Sequence, residues 1–244
     1  MDIKYISPTP VIDSDNRQVI DYAMKKTEGC KEQVDQAVKI FYAVRDEILY
    51  DPYHAFYLPE HHRASSVLKS KRGYCVCKAS LLCALGRVLK IPSRIGFASI
   101  INHLASKQFT RLLGTNLFVY HGYTEFYLQG KWVKATPAFN SDLCKKNRLP
   151  LNEFNGYEDC IFSSCDLDKK PFMEYVKNHG VYADVPVNTI LDAWKETYGE
   201  DRVNKWIDFF EKSGEISAFG LIHRNRSQVH GLPNLRRWQG LEVS

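Results

Sequence analysis

The stretch KRGYCVCKASLLCALGRVLKIPSR, from Lys71 to Arg94, decides the fold that we predict for this chain. It begins with a glycine and two cysteines and continues with a run in which Ala, Leu, Cys and Val dominate. The segment from Ala79 to Leu89 has no polar face, which is typical of a helix enclosed by other elements. Pro92 cannot continue a helix and disfavours helical backbone at the residue before it. The sequence therefore predicts a loop, then a thiol, then a buried helix.

Cys75 falls at or just before the first turn of this helix. Free N–H groups and the positive end of the helix dipole favour a thiolate over a thiol there, and the thiolate is the reactive species. Two other interpretations stay open from the residues alone. In the first interpretation, the three cysteines are small apolar core residues, since free cysteine is often buried; they are Cys75, Cys77 and Cys83. The second is a zinc site, which would need a further Cys or His pair to complete the Cys-x-Cys.

A second segment, VYHGYTEFYLQGKWVKATPAF from Val119 to Phe139, has the pattern of a β-hairpin. Aromatic and β-branched residues flank Gln129 and Gly130, which we interpret as the turn. The predicted pairs are Leu128 with Lys131, Tyr127 with Trp132, Glu125 with Lys134 and Tyr123 with Thr136. Because side chains alternate along a strand, His121 and Thr136 then become diagonal neighbours on one face.

Together the two segments resemble the transglutaminase-like superfamily. Its core pattern is roughly G-x-C-x-x-x-A, then R-x-x-x-I-P-x-R, then H-x-x-x-E with a hairpin that leads to W-V-x-x-D-P. The matching residues are Gly73, Cys75, Ala79, Arg87, Ile91, Pro92, Arg94, His121, Glu125, Trp132, Val133 and Pro137. The resemblance implies that the nucleophile is Cys75 and not Cys77, because the family's cysteine lies four residues before the alanine. It also implies that His121 is the base and that the residue before Pro137 orients the imidazole.

Thr136 stands where the family has an aspartate. A threonine hydroxyl can accept a hydrogen bond from an imidazole N–H and fix its tautomer, but it brings no charge to stabilise an imidazolium. Asn140 is an alternative orienting residue if the chain turns back after Pro137, and His103 is an alternative base. The chain also resembles a bacterial subgroup of transglutaminase-like proteins over roughly residues 5–190, in which threonine at this position is usual.

The length of 244 residues and the hydrophobic content of 44% suit one large domain. We expect a single transglutaminase-like domain at 1–215, with its core at about 35–140 and an extension at 141–215. A basic tail follows at 216–244. Hydrophobic periodicity predicts helices at Val34–Leu49, Val187–Tyr198 and Asp201–Lys212, and a buried strand at Ile95–Ile101.

Composition narrows the setting in which the protein acts. The net charge of +5 is a mild excess and gives little support for nucleic-acid binding. We find no apolar run of about 18 residues and no signal peptide, so we expect no membrane contact and a cytoplasmic location. Seven cysteines in such a chain favour reduced thiols. We expect neither a cofactor nor a metal, and no D-x-D-x-D-G calcium loop occurs in the sequence.

The sequence thus predicts an α+β fold with a papain-like, transglutaminase-like core, in which N-terminal helices pack on an antiparallel β-sheet. The resemblance implies thiol-dependent acyl transfer or amide hydrolysis, of the protease, amidase or transglutaminase type, through a Cys75–His121 pair and a covalent thioester. The substrate would be a peptide or protein amide, and water or an amine would resolve the thioester. The alternative is a catalytically inactive fold that binds a peptide or protein in the same cleft.

Overall fold

The predicted buried helix is the element around which the rest of the protein packs. In the computed structural model, which describes residues 2–213, helix α5 spans Cys75–Val88. Every residue from Val76 to Arg87 is buried, which explains why this sequence has no polar face. The two charged side chains in that run end on backbone carbonyls: Lys78 Nζ bonds Ile48 O at 2.6 Å, and Arg87 bonds Ser93 O.

Helix α5 packs on a sheet of four antiparallel strands within the described residues. The strands are β3 (Ser93–Asn102), β4 (Leu117–Leu128), β5 (Lys131–Ala135) and β6 (Met173–Tyr182), and their spatial order is β5-β4-β3-β6. One face of β4 lies directly on α5, where the Thr124 hydroxyl donates to Ala79 O at 2.8 Å. The predicted α+β fold, in which helices pack on an antiparallel sheet, is therefore confirmed.

The β4–β5 hairpin has the predicted register. Three of the predicted pairs, Leu128 with Lys131, Tyr127 with Trp132 and Glu125 with Lys134, are found in the ladder. Gln129 and Gly130 form the turn with φ of 49° and 82°. Positive φ at both central residues is the signature of the two-residue turn that matches strand twist. The last pair in the ladder joins Thr124 and Ala135, so Thr136 lies just beyond the end of β5.

Helices from the N-terminal half cover the side of α5 that faces away from the sheet. Asn16 caps the first of them by accepting from Gln18 N–H. Two short strands, β1 (Leu49–Tyr50) and β2 (Arg72–Gly73), pair in parallel and lead directly into α5. The helices of this half are α1 (Arg17–Lys26), α2 (Gln33–Glu47), α3 (Pro59–His62) and α4 (Ala64–Ser70).

The second half adds short and long helices around the sheet. They are α6 (Lys107–Leu113), α7 (Ser141–Lys146), α8 (Val187–Tyr198) and α9 (Glu200–Ser213). The helices predicted at 34–49, 187–198 and 201–212 are confirmed within one or two residues, as is the strand at 95–101. Strand β6 and helix α6 were not predicted. The proposed basic tail at 216–244 lies outside the described residues.

No helix in the described part of the chain is both long and apolar enough to cross a membrane.

Candidate active site

Cys75 is the first residue of α5 and lies half-buried at the head of that helix. The β1–β2 pair fixes the loop before it, since Tyr50 pairs with Gly73. A Cβ atom at Gly73 would come within 2.5 Å of Cys77 Cβ, so the glycine is required for this close entry into the helix. The short strand and the glycine together set the position from which Cys75 starts the helix.

Cys77 has a different environment two residues further on. It is fully buried, and its Sγ contacts His61 O at 3.4 Å. Burial raises the pKa of the Cys77 thiol well above its ordinary value. The structure therefore places Cys77 in the core, while Cys75 borders a cavity. This arrangement agrees with the choice of Cys75 that the resemblance implies.

His121 follows an irregularity in β4. His121 pairs with Ala98, but the next pair in the ladder joins Phe118 to Ile100, so Val119 and Tyr120 together oppose one residue of β3. Tyr120 has a φ of +55°, which is rare for a residue other than glycine. Such bulges change the direction of neighbouring side chains and occur often beside active sites. Helix α8 supports this one, because Val119 N–H donates to the Tyr198 hydroxyl at 3.0 Å.

The fold brings Cys75 and His121 to one place through Gly122. The N–H of Gly122 lies beside the Cys75 sulfur, and the N–H groups of Cys75 and Val76 also face it. A Cβ atom at Gly122 would approach Val76 Cα to 2.9 Å, so glycine allows β4 to lie against the head of α5. His121, the residue before this contact, lines the same cavity as Cys75. Two side chains far apart in sequence are thus presented at one site.

Burial determines the ionisation of both side chains. Desolvation raises the pKa of the Cys75 thiol to about 11, and the three backbone N–H groups around the sulfur only partly offset it. Desolvation also lowers the pKa of His121 to about 3. The helix terminus predicted a thiolate, and in this structure burial outweighs that effect. The resting pair near neutral pH is therefore a thiol and a neutral imidazole.

A cavity of about 1060 Å³ extends from these two residues. Its walls are largely aromatic, with Tyr50 and Phe118 near the sheet. Helices α8 and α9 contribute Trp194, Tyr198 and Trp206. The cavity is large enough for a drug-sized ligand, and its apolar lining is the usual composition of a binding site.

The first half of the chain is similar to a known protein family. Residues 20–137, just under half of the chain, match the model of the transglutaminase-like superfamily. This segment is similar to the core of that superfamily. The candidate residues Cys75, His121 and Thr136 all lie inside the matched segment. Within the described residues, α8, α9 and β6 lie beyond it, so much of the cavity wall is contributed from outside the transglutaminase-like core.

Two solved structures are similar to this chain at low identity. A structure described as "a Putative Cysteine Protease from Cytophaga hutchinsonii" is 17% identical with a TM-score of 0.44, covering 74% of this chain and 53% of that chain. A "putative protease" from Parabacteroides distasonis is 15% identical with a TM-score of 0.35, covering 52% of this chain and 26% of that chain. This chain thus spans about half of the first and about a quarter of the second. The search of curated proteins gave no match.

Thr136, at the position of the transglutaminase-like aspartate, is completely buried. Its backbone is fixed, with N–H donating to Cys160 O at 3.0 Å and O accepting from Asn152 at 3.0 Å. Its Oγ1 has no hydrogen-bond partner within the described residues, and neither has His121 Nε2. No hydrogen bond between residues 2–213 joins His121 to a carboxylate. The Thr136 hydroxyl and the His121 Nε2 atom are therefore both buried, and neither is hydrogen-bonded to the other or to another described residue.

Asn140, the alternative orienting residue, has a structural role instead. Its Nδ2 donates to Arg45 O at 2.5 Å and Ile48 O at 2.9 Å, and its Oδ1 accepts from Tyr50 N–H at 2.7 Å. The whole amide is used in holding the end of α2 and the start of β1. The structure does not bring it to His121, because the chain after Pro137 turns toward α2.

His103, the alternative base, is also placed elsewhere. Its imidazole side chain is 37% exposed and lies 3.3 Å from the Glu174 carboxylate. The cavity that Cys75 borders is not lined by it. Of the two candidate bases, only His121 on β4 lines the cavity that Cys75 borders.

Sequence reasoning missed two aromatic residues of the site, Phe162 and Tyr175. The Phe162 ring lies 5.1 Å from the His121 ring, and the Tyr175 ring lies 6.4 Å from it at 68°. Tyr175 is on β6, a strand whose polar composition gave little hydrophobic alternation to identify it. The sequence marked Tyr175 only as an isolated aromatic residue in the extension at 141–215.

Metal binding finds no support at this site or elsewhere in residues 2–213. No group of three or more His, Cys, Asp or Glu side chains in that range is arranged to hold an ion.

Proposed function

We propose that this protein is a cysteine-dependent amide hydrolase or acyltransferase in which Cys75 is the nucleophile and His121 the base. The observation that carries the proposal is that the Cys75 sulfur lies against the Gly122 N–H, one residue after His121, and that Cys75 and His121 line the same cavity. The similarity of residues 20–137 to the transglutaminase-like core supports this type of chemistry.

The ionisation of the pair sets the order of the proton transfers. As the Cys75 sulfur attacks a carbonyl carbon, its proton passes to the neutral His121 imidazole, so that no free thiolate is needed beforehand. The imidazolium then gives that proton to the leaving amine as the C–N bond breaks, leaving a thioester on Cys75. Water or an amine attacks the thioester and gives a proton to His121, which passes it to the Cys75 sulfur as the C–S bond breaks and the acyl product leaves. The pair returns to its starting state.

Backbone N–H groups supply the electrostatic part of this mechanism. The N–H groups of Cys75 and Gly122 both face the region of the sulfur. An oxyanion that forms on the attacked carbonyl would develop near these donors, which need no rearrangement to bind it. Donors of this kind typically contribute about 100-fold to 1000-fold in rate.

The cavity favours a particular acyl group. Its aromatic walls beside Cys75 would bury an aromatic or branched aliphatic side chain, and each buried methylene contributes about 0.8 kcal/mol. We therefore propose a peptide or protein substrate that carries a large apolar residue on the acyl side of the cleaved or transferred amide.

Acylation of the thiol tests the proposal directly. The protein is incubated with the p-nitrophenyl ester of N-acetylphenylalanine, and the acyl adduct is located by peptide mass spectrometry. We expect an adduct on Cys75 in the parent and in Cys77→Ala, and none at the active site in Cys75→Ala. His121→Gln should slow its formation. Adding methylamine then separates the two reactions, because an acyltransferase gives the N-methyl amide and a hydrolase gives the free acid.

The matched ester of N-acetylalanine provides the test of substrate class. It should acylate Cys75 more slowly than the phenylalanine ester, because its methyl group buries much less apolar surface against the cavity walls than a benzyl group does. An adduct on Cys77, or none on any thiol, would contradict the proposal.

Two features of the same site also fit a second function, the binding of a peptide without catalysis. The raised pKa of the Cys75 thiol and the unpaired imidazole nitrogen are also what an inactive fold would show after losing the aspartate. In that case the apolar cavity would bind a peptide without cleaving it. This function would be identified if calorimetry showed that a phenylalanine-containing peptide binds while no acyl adduct forms on Cys75.

A further inference from the structure

Two polar atoms at the candidate site are buried without partners, and both belong to residues that the mechanism needs. His121 Nε2 and Thr136 Oγ1 have no hydrogen bond to any described residue. A buried polar group left unpaired costs about 1–3 kcal/mol, so each such group in a native structure calls for an explanation. The reason has to lie with the groups around them.

Tyr175 brings a phenol close to the His121 ring. It lies on β6, where it pairs with Ile100 of β3, and its ring meets the His121 ring edge-on at 6.4 Å. Its hydroxyl accepts from Phe162 N–H at 3.2 Å, and this bond fixes where the oxygen lies. Phe162 in turn packs its ring 5.1 Å from His121. The phenol is therefore held beside the imidazole by two independent contacts.

Thr136 is the second neighbour of this phenol. The Thr136 hydroxyl acts on the ionisation of Tyr175, favouring the charged form, while burial raises the pKa of Tyr175 to about 12. The two hydroxyls are close without forming a hydrogen bond of good geometry in this conformation. A hydrogen bond between the two hydroxyls therefore requires a change of side-chain rotamer. Tyr175 thus remains protonated near neutral pH and can act as a donor.

We propose that Tyr175 and Thr136 together form a neutral orienting pair that replaces the missing aspartate, with Tyr175 as a positioning residue for His121. Tyr175 O–H donates to Thr136 Oγ1, and the second lone pair of that oxygen accepts the N–H of His121 Nε2. This arrangement protonates Nε2 and leaves Nδ1 as the nitrogen that takes the proton of Cys75. The inference rests on the function proposed above.

A neutral pair of this kind suits the electrostatics of the site. A carboxylate would stabilise a thiolate–imidazolium ion pair, whereas here both Cys75 and His121 rest uncharged. Hydroxyl groups orient the imidazole and select its tautomer without adding a charge to a buried pocket, where an unpaired charge is costly. The threonine is then the member of the pair that touches the imidazole, and the phenol is the member that keeps the threonine in place.

The tautomer of His121 is the decisive measurement, because it does not depend on activity. Nitrogen-15 NMR of the imidazole should show Nε2 protonated in the parent protein. Tyr175→Phe keeps the ring and removes only the hydroxyl, and we expect it to yield a mixture of the two tautomers. Thr136→Val, which has the same shape as threonine, should give the same mixture, and it provides the test if Tyr175→Phe fails to fold. Tyr182→Phe, on the same strand, is the matched control.

Kinetics provides the second readout. With the phenylalanine ester, Tyr175→Phe should lower kcat by about 10-fold to 100-fold and leave KM within about 2-fold, since general-base catalysis contributes at least that much. The double variant Tyr175→Phe with Thr136→Val should lose no more than Thr136→Val alone, because both act through one hydrogen-bonded chain.

Either of two results would overturn the inference: an unchanged His121 tautomer in both variants, or additive losses of kcat in the double variant. Failure of the proposed function is distinguishable from both. If the parent protein forms no acyl adduct on Cys75 but the tautomer still shifts in Tyr175→Phe, the orienting pair exists without the chemistry.

Discussion

The reactivity of Cys75 toward an alkylating reagent should reveal a thiol that is protonated up to high pH. With a pKa of about 11 against an ordinary value of 9.0, the thiolate fraction at pH 8 falls from about one tenth to about one thousandth, a 100-fold loss. The intrinsic nucleophilicity of a thiolate rises with its pKa, with a Brønsted coefficient of about 0.45. A pKa higher by two units therefore makes the thiolate about 8-fold more reactive, which offsets part of the 100-fold loss. The net expectation is alkylation about 10-fold slower than that of the same residue in unfolded protein.

The assay is iodoacetamide labelling at a series of pH values, with each cysteine followed separately by peptide mass spectrometry. The rate for Cys75 should rise about tenfold for each pH unit between pH 7 and 9.5, without a plateau, because the thiolate fraction rises in that proportion below the pKa. Labelling in urea at pH 8 gives the reference for the unfolded chain.

His121→Gln is the matched control for a neutral pair. Since His121 is uncharged in this pH range, removing it should leave the slope of the Cys75 profile unchanged. A plateau that begins near pH 6 and disappears in His121→Gln would reveal a thiolate–imidazolium pair. That result would refute the conclusion that burial outweighs the helix terminus at this site.

Two further predictions concern stability. His54, His62 and His121 are buried, and desolvation lowers their folded pKa values to about 3–4 from 6.5, so the unfolded chain binds protons that the folded chain does not. Stability conferred by the neutral forms is complete above pH 6.5 and is lost as pH falls toward 3. At pH 5.5 each histidine lowers the free energy of unfolding by about 1.4 kcal/mol relative to pH 8, which is about 4 kcal/mol for the three together. Urea unfolding at the two pH values measures this difference, and a difference under about 1 kcal/mol would contradict the prediction. Asn140→Ala leaves Tyr50 N–H unpaired and should lower the free energy of unfolding by about 2–3 kcal/mol. The acylation rate of the folded variant should stay within about 2-fold of that of the parent. A large loss of rate in a stably folded variant would instead support Asn140 as an orienting residue.

Local sequence was sufficient for the elements that carry the candidate pair. The apolar run before Pro92 predicted α5, because a helix without a polar face must be buried on all sides. Gln129-Gly130 predicted the hairpin, because the turn needs two residues at positive φ, and the register then followed along β4 and β5. Cys75 and His121 could be selected by their spacing within these elements and by the family pattern.

Strand β6 and the role of Asn140 could not be predicted from the sequence. The side chains along most of β6 are exposed or half-buried, so the strand lacks the alternation that identifies a half-buried strand. Asn140 was proposed as an orienting residue because of its distance along the chain from Thr136. Its actual partners come from α2 and β1, about 90 residues earlier, and no local pattern carries that contact.

The sequence by itself determined that Cys75 starts its helix, that His121 precedes the hairpin on the same strand and how the hairpin pairs, since these depend on backbone preferences within a few residues. The tertiary structure alone decided that both side chains rest uncharged, that Cys77 lies in the core and that Tyr175 stands beside His121. Desolvation and packing depend on which distant segments surround a group. A helix terminus acts on its own first turn, but the dielectric environment of a sulfur is set by the whole fold.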